Sequence, residues 1–141
     1  MATLVFTNPY LVLDGVNLTG YVRKVTLKGV KAVHEDTANT AGTGVSARTY
    51  VGGLKEYGFE PVFNFALGAG LTEATLWAIW NAGTAVGFTC ANAGSTAGTA
   101  NPHYSGSALI TDFAGVDGAI GEKGEAQPVF KVTGDIARAL A

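Results

Sequence analysis

The sequence is poor in cysteine and in charged residues. A single cysteine, Cys90, in 141 residues excludes an intramolecular disulfide framework. Charged side chains make up 14% of the chain, against roughly 25% in an average soluble domain. Nine basic and 11 acidic side chains give a net charge of −2, the pI is about 5.6, and there is no basic tract. This composition argues against a nucleic-acid binder that works by neutralising phosphates.

Long apolar segments are also missing. The first ten residues have no basic region and no long apolar run, so they do not resemble a secretory signal. No stretch of about 18 apolar residues is available to span a membrane. The chain has 20 Gly and 48% hydrophobic residues, and its length of 141 residues predicts one domain over residues 1–141. A chain of this length buries roughly two thirds of its unfolded surface on folding.

The few charges are unevenly placed. Between Pro61 and Thr111, Glu73 is the only formally charged side chain. One explanation is a surface that hydroxyl groups and backbone keep soluble. The other is a surface covered by partner subunits, because neutral interfaces are common in assemblies. Composition alone leaves both explanations open.

The hydrophobic pattern predicts a mainly β protein, an antiparallel β-sandwich or barrel flanked by one α-helix at about residues 72–82. Asp14-Gly15 indicates a hairpin turn, and a change of phase at Gly29 predicts a β-bulge there. Pro61 lies on the apolar side of its strand and predicts an edge or a bulge at that point. The predicted strands cover residues 18–33, 50–65, 85–91, 104–113 and 127–133, and residues 135–141 are expected to form a short tail.

The helix has recognisable ends. Thr72 is the expected N-cap, Glu73 lies where the helix dipole favours an anion, and Gly83 is a stop signal. Its large apolar residues occupy more than one face, so burial on both sides is expected. Residues 37–47, by contrast, are almost all small and uncharged, and they predict a long loop without a core of its own.

Catalytic and ligand-binding patterns are weak. His34 and Asp36 could share one face of a strand, but the other histidine, His103, is distant in the sequence and is expected in a loop. Gly68-Ala69-Gly70 precedes the helix as in a dinucleotide-binding loop, yet Glu73 stands where the third Gly belongs. We therefore predict no catalytic residue, no cofactor site and no metal site, and we expect no enzymatic activity.

The order of motifs resembles the tail tube (major tail) proteins of long-tailed, non-contractile bacteriophages. The resemblance covers nearly the whole chain, and the ordered series carries it, because each motif alone is a generic turn or helix. The motifs are Asp14-Gly15-Val16-Asn17-Leu18-Thr19-Gly20-Tyr21-Val22, Val51-Gly52-Gly53-Leu54-Lys55-Glu56-Tyr57, the helix Ala74-Thr75-Leu76-Trp77-Ala78-Ile79-Trp80, Asn101-Pro102-His103-Tyr104-Ser105-Gly106 and Gly118-Ala119-Ile120-Gly121.

This resemblance implies a structural virion protein of the phage tail, made in the cytoplasm of the bacterial host. It implies homohexameric rings whose inner sheets join into a barrel, and rings that stack into the hollow tube that conducts phage DNA to the host cell. Its implied partners are further copies of itself, the tape measure protein in the lumen, and tail-terminator and distal tail proteins at the tube ends. DNA would pass through without specific binding.

The resemblance also implies two sets of site residues. The loop at about residues 37–47 matches one that reaches a neighbouring subunit or ring, with Ala38, Asn39, Thr40, Ala41, Gly42, Thr43 and Gly44 as its ring-stacking residues. Glu56 and Glu60 lie on a polar strand face that suits the lumen, whereas Lys24, Lys28 and Lys131 do not suit it if they share that wall. The alternative is a monomeric β-sandwich that serves as a binding or decoration module of a virion or cell surface.

Overall fold

The computed structural model describes residues 9–35 and 50–140, and they form an antiparallel β structure with one helix, as predicted. The strands pair in the order β2-β1-β5-β6-β8-β4-β3, and β7 pairs with β4. The elements are β1 (Tyr10–Leu13), β2 (Val16–Asn17), a 3-10 turn (Thr19–Tyr21), β3 (Val22–Glu35), β4 (Tyr50–Asn64), α1 (Thr72–Ala82), β5 (Val86–Ala91), β6 (His103–Asp112), β7 (Glu125–Ala126) and β8 (Val129–Ala139).

The sheet folds over on itself to enclose the core. β4 and β5 are separated by two strands, which in a flat sheet would place them about 14 Å apart. Instead the ring of Phe59 on β4 stacks on that of Phe88 on β5, with centroids 4.4 Å apart, and contacts Phe130 on β8 at 5.1 Å. The two halves of the sheet are therefore the two layers of a sandwich, joined through β6 and β8.

The sandwich stays open along one side. A groove of about 590 Å³ lies between β3, which contributes Val25 and Leu27, and the end of β5, which contributes Cys90 and Ala91. No strand of the described residues pairs with the outer edge of β3 at any point along the strand. The buried residues of the core are Leu11, Leu13, Leu18, Phe59, Phe63, Leu76, Ile79, Phe88, Cys90, Ala108, Ile110, Ala126 and Phe130.

The hairpin of β3 and β4 shows where the sequence-based register was wrong. The predicted bulge at Gly29 is absent, since Gly29 pairs regularly with Tyr57. The register instead shifts at two places: between Val22 and Lys24, where β3 carries one extra residue, and between Lys31 and Val33, where β4 carries one. Val30 is exposed on the solvent face, so its apolar character marks an uncovered surface rather than a change of side.

The helix matches its predicted span, but its N-cap residue is not the predicted one. Leu71 occupies the N-cap position, and Thr72 is the first helical residue. The Thr72 hydroxyl donates to the carbonyl of Asn64 at 3.2 Å, so it ties α1 to the end of β4. Gly83 ends the helix in the left-handed region, with φ 68°, as the sequence predicted. The helix packs on β6.

Two further predictions concern turns and ends. Asp14 and Gly15 both have positive φ and join β1 to β2, which confirms the hairpin turn. The expected tail after residue 135 is wrong, because β8 continues to Ala139 and pairs with β6. Gly134, with φ 82°, opens a bulge in β8 that carries the strand past the point where its hydrophobic pattern breaks.

Candidate assembly surfaces

The end of the β3–β4 hairpin extends beyond the rest of the sheet. β8 pairs with β4 at Gly58 and Phe59, and within the described residues no strand flanks β4 between residues 50 and 57. We call residues 29–35 and 50–57 the arm. A two-stranded ribbon with both edges free is marginally stable in water. The arm nevertheless exposes large apolar side chains: Val30 53%, Val33 63%, Tyr50 59%, Val51 55% and Leu54 87%.

The base of the arm is fastened to β8. The hydroxyl of Tyr57 donates to Asp135 Oδ1 at 2.7 Å, and the backbone N–H of Ile136 donates to the same oxygen at 2.8 Å. Lys55 Nζ lies 3.5 Å from Asp135 Oδ2. These hydrogen bonds, with the nearby lysine, lower the pKa of Asp135, and the bond from Tyr57 raises the pKa of the phenol. The β8 bulge at Gly134 thus places the Asp135 carboxylate in contact with Tyr57 and Lys55 of the arm.

A charged face covers the solvent side of β3, β4 and β8. Glu56 and Glu60, which the sequence singled out, lie on this face, with Thr26 opposite Glu60 and Lys131 opposite Gly58 in the register. Lys131 Nζ donates to Glu56 Oε1 at 2.6 Å. This hydrogen bond and the lysine charge lower the pKa of Glu56.

The three lysines whose orientation the sequence left undecided also lie on this charged face. Lys24, Thr26 and Lys28 occupy every second position of β3 and therefore share one face of the strand. Because Thr26 pairs with Glu60, this is the face on which Glu56 and Glu60 lie. With Lys131, three cations therefore stand beside two carboxylates. The face is close to charge balance and is not the acidic wall that the two glutamates alone would make.

An aromatic patch lies on the outer side of α1. We use this name for Trp77, Trp80 and Phe113. Trp77 is 48% exposed and Trp80 41% exposed. The three ring centroids are 5.6 to 6.1 Å apart, so the side chains support one another without being covered. The expected burial of the helix on both sides is therefore not met within one chain: Leu76 and Ile79 face the core and the tryptophans do not.

Uncharged loops next to the sandwich are held by side chains rather than by a core. Asn101 accepts a hydrogen bond from the backbone N–H of Ala93 and donates to the carbonyls of Gly94 and Thr96, at 2.9 to 3.0 Å. One amide side chain thus closes the turn between β5 and β6. The other neutral loop, which includes residues 38–44 that were predicted from the resemblance to stack rings, lies outside the described residues.

The residues considered for chemistry are scattered. His34 is on the arm and Asp36 lies outside the described residues. His103 is not in a loop as expected but begins β6, with its ring 5.2 Å from that of Tyr10. Within residues 9–35 and 50–140, no three His, Cys, Asp or Glu side chains are grouped as metal ligands. The same residues include no helix with the length and apolar character needed to cross a bilayer.

Solved structures share this fold over nearly the whole chain. A chain in the virion of a native gene transfer agent particle matches with a TM-score of 0.69 at 13% identity, covering 94% of this chain and 95% of that one. A chain in the tail of an empty gene transfer agent particle, refined with C6 symmetry, gives 0.68 at 14% identity over 94% of each chain. The chain has a phage-tail-type fold.

A third match extends the likeness to another particle. A chain in the sixfold-symmetrised baseplate of the anti-feeding prophage gives a TM-score of 0.58 at 5% identity, covering 99% of this chain and 97% of that one. No protein-family model matches the chain, and the curated proteins give no match. The phage-tail-type fold is thus found at very low sequence identity, where order of elements rather than side-chain identity carries the likeness.

Sequence reasoning missed parts of these surfaces. The helix pattern showed that its large apolar residues occupy more than one face, and it predicted burial of Trp77 and Trp80 rather than their exposure. Nothing in the sequence placed Phe113 beside them, since the contact joins two separate elements. The sequence also did not predict that Lys31 and Lys55 are paired across the two strands of the arm, because this depends on the hairpin register. A free edge strand is likewise visible only once the strand order is known.

Proposed function

We propose that the protein is the structural subunit of a phage-type tail tube, which forms homohexameric rings that stack into a hollow conduit for DNA. The observation that carries the proposal is the outer edge of the 14-residue strand β3, with which no strand of residues 9–35 and 50–140 pairs. A long free edge is normally protected by charge, bulges or a covering element. Pairing the edge with the sheet of a neighbouring subunit removes it and extends the sheet around a ring.

The fold supports the same conclusion. The chain of the C6-refined tail has this fold at a TM-score of 0.68, and an architecture found in a sixfold tail suits a sixfold ring here. The arm and the aromatic patch expose apolar surface that a subunit of an assembly would cover. The scarcity of charge between residues 61 and 111 then reflects contact with neighbours.

In this proposal the charged face of β3, β4 and β8 lines the lumen, with Glu56 and Glu60 as lumen residues. A conduit for DNA must not hold it, and each lysine that contacts phosphate adds salt-dependent affinity. The two glutamates offset lysines on the same wall, most directly in the Lys131–Glu56 pair at 2.6 Å. DNA then passes without specific binding, and the tape measure protein occupies the same lumen before ejection.

Residues 38–44 are proposed to contact the next ring. Deleting Ala38 to Gly44 should leave the far-UV circular dichroism of the sandwich unchanged and should block growth of tubes. If the deleted protein polymerises like the wild type, the stacking role of the loop is wrong. Tail-terminator and distal tail proteins would cap the tube ends in the virion.

The lumen assignment has its own test. Replacing Glu56 and Glu60 with Gln should make assembled tubes bind short double-stranded DNA at low salt, with binding lost as salt is raised. Asp117→Asn, which removes a carboxylate from a different part of the chain, serves as the control and should not change DNA binding. A tube reconstruction with both glutamates on the outer surface would refute the assignment.

Tube formation is tested by negative-stain microscopy of the concentrated purified protein. The proposal predicts hollow tubes built of stacked rings. Persistent monomers by light scattering at high concentration would instead favour the monomeric binding or decoration module.

A further inference from the structure

We infer that residues 3–7 of the same chain fill the groove between β3 and the end of β5. We call these residues, Thr-Leu-Val-Phe-Thr, the leading segment, and they lie outside the described residues. The inference goes beyond the proposed function, because it concerns a single chain and needs no assembly. Three observations carry it: the character of the groove, the place where β1 begins, and the composition of the leading segment.

The groove is an uncovered part of the hydrophobic core. Val25 and Leu27 on the inner face of β3, Tyr104 on β6 and Ile136 on β8 line it, and all four pack against the core while remaining half-buried. Its volume of about 590 Å³ is in the range of pockets that enclose a bound group. Among the described residues that line it, Arg138 alone is charged. The groove therefore suits an uncharged and largely apolar occupant.

The chain enters β1 beside this groove. Tyr10 pairs with Ala91, which lines the groove at the end of β5, and the Cα atoms of such a pair are about 4.5–5.5 Å apart. Pro9 has no N–H with which to continue the ladder. Phe6 is three residues before Pro9, so their Cα atoms are at most about 11 Å apart. The leading segment can therefore reach the groove.

The strand order gives the direction in which the chain approaches. Five antiparallel pairings connect β1 to β3 through β5, β6, β8 and β4, so β3 runs opposite to β1. The turn that leads into β3 is held against β1, because the backbone N–H of Leu11 donates to Thr19 Oγ1 at 3.1 Å. Followed back from Tyr10, the chain thus heads the same way as β3 does from Val25 to Gly29. This is the part of β3 that lines the groove.

The leading segment has the composition of the expected occupant. Leu4, Val5 and Phe6 are large and apolar, and residues 1–8 contain no charged side chain. In an extended segment Leu4 and Phe6 would point to one side, and Thr3 and Thr7 to the other. Leu4 and Phe6 therefore match the apolar walls of the groove. The contact uses the inner face of β3, whereas the proposed ring uses its outer edge, so one chain can make both contacts.

The test is an NMR measurement on the full chain, at a concentration where light scattering shows monomers. A nuclear Overhauser spectrum of ¹³C-labelled protein should connect the ring of Phe6 with methyl groups of Leu27 and Ile136. It should show no connection from Phe6 to Val116, which is 98% exposed and serves as the control. A filtered spectrum of mixed labelled and unlabelled protein should lack the groove connections, because the contact lies within one chain.

A pair of variants provides a second measurement. Leu4→Ser combined with Phe6→Ser removes the side chains that fill the groove, and it should lower the midpoint of urea denaturation by roughly 1 M. Thr3→Ser combined with Thr7→Ser changes the other side of the same segment and should leave the midpoint unchanged. If the first variant does not fold, Phe6→Ser alone replaces it and is compared with Thr7→Ser.

The outcomes separate this inference from the proposed function. Absence of the connections from Phe6 to Leu27 and Ile136 would overturn the inference, and so would equal midpoints for the two variants. Connections that appear only between labelled and unlabelled molecules would overturn it as well, and would assign the groove to another copy. Tubes without the intrachain contact would refute only the inference, and the intrachain contact without tubes would refute only the proposed function.

Discussion

Truncating Phe59 to Ala tests whether the sheet is folded into two packed layers. Phe59 is fully buried on β4 and stacks on Phe88 from the opposite layer, with Phe130 on its other side. If the sheet were flat, β4 and β5 would be too far apart for this contact, so the ring reports directly on the fold.

The expected loss of stability follows from this burial. Removing a buried Phe side chain costs about 3–5 kcal/mol, through lost transfer free energy and the cavity left behind. The loss of a close aromatic pair is part of this cost, at about 0.5–1.5 kcal/mol. We therefore expect the free energy of unfolding to fall by about 4 kcal/mol, from a total of about 5–15 kcal/mol for a domain. The corresponding drop in Tm is about 13 °C.

The assay is urea denaturation of dilute protein followed by far-UV circular dichroism, because assembly at high concentration would add its own stabilisation. Tyr50→Ala is the control, since Tyr50 is an aromatic residue of the same strand that is 59% exposed. It should change the free energy of unfolding by less than about 0.5 kcal/mol. A loss below about 1 kcal/mol for Phe59→Ala, or equal losses for both variants, would refute the packing described here.

Three further predictions follow from single contacts. A Cβ at Gly106 would lie 2.6 Å from Ile136 Cδ1, which is the end of a flexible side chain. A change of the Ile136 rotamer can make room for it, so Gly106→Ala should change the free energy of unfolding by no more than about 1 kcal/mol in urea denaturation. A loss above about 3 kcal/mol would show that Ile136 cannot move aside. Lys131 lowers the pKa of Glu56, so Lys131→Met should raise that pKa in an NMR titration of the carboxyl. In the wild type the pair stabilises the fold at pH values above the ordinary pKa of a glutamate, and this stabilisation is lost as the pH falls through the lowered pKa of Glu56. Burial raises the pKa of Cys90 to about 11, so a thiol reagent at pH 8 should label it only after unfolding, and rapid labelling of the native protein would show that it is accessible.

Local signals predicted the elements well because they depend on neighbouring residues. The span of α1, its end at Gly83 and the turn at Asp14-Gly15 follow from propensity and left-handed backbone preference, and all three agree with the structure. The predicted N-cap was wrong, because the Thr72 side chain bonds to the end of β4 rather than capping its own helix.

Features set by long-range pairing could not be predicted. The position of the bulge beyond Lys31 depends on how β3 and β4 align over their full length. The extension of β8 past Gly134 depends on β6, which supplies partners for a segment whose own pattern indicates a tail. Glu56 and Glu60 were correctly placed together on one face, since alternation is local. That three lysines lie on the same face could be predicted only from the order of the strands in the sheet.

Cryo-electron microscopy of the concentrated wild-type protein would show how its copies assemble. We predict hollow tubes of stacked rings with sixfold end views, and a reconstruction in which the β3 edge pairs with a neighbouring subunit and Glu56 and Glu60 face the lumen. A specimen that contains only monomers, or an assembly in which the β3 edge is left unpaired, would contradict this prediction.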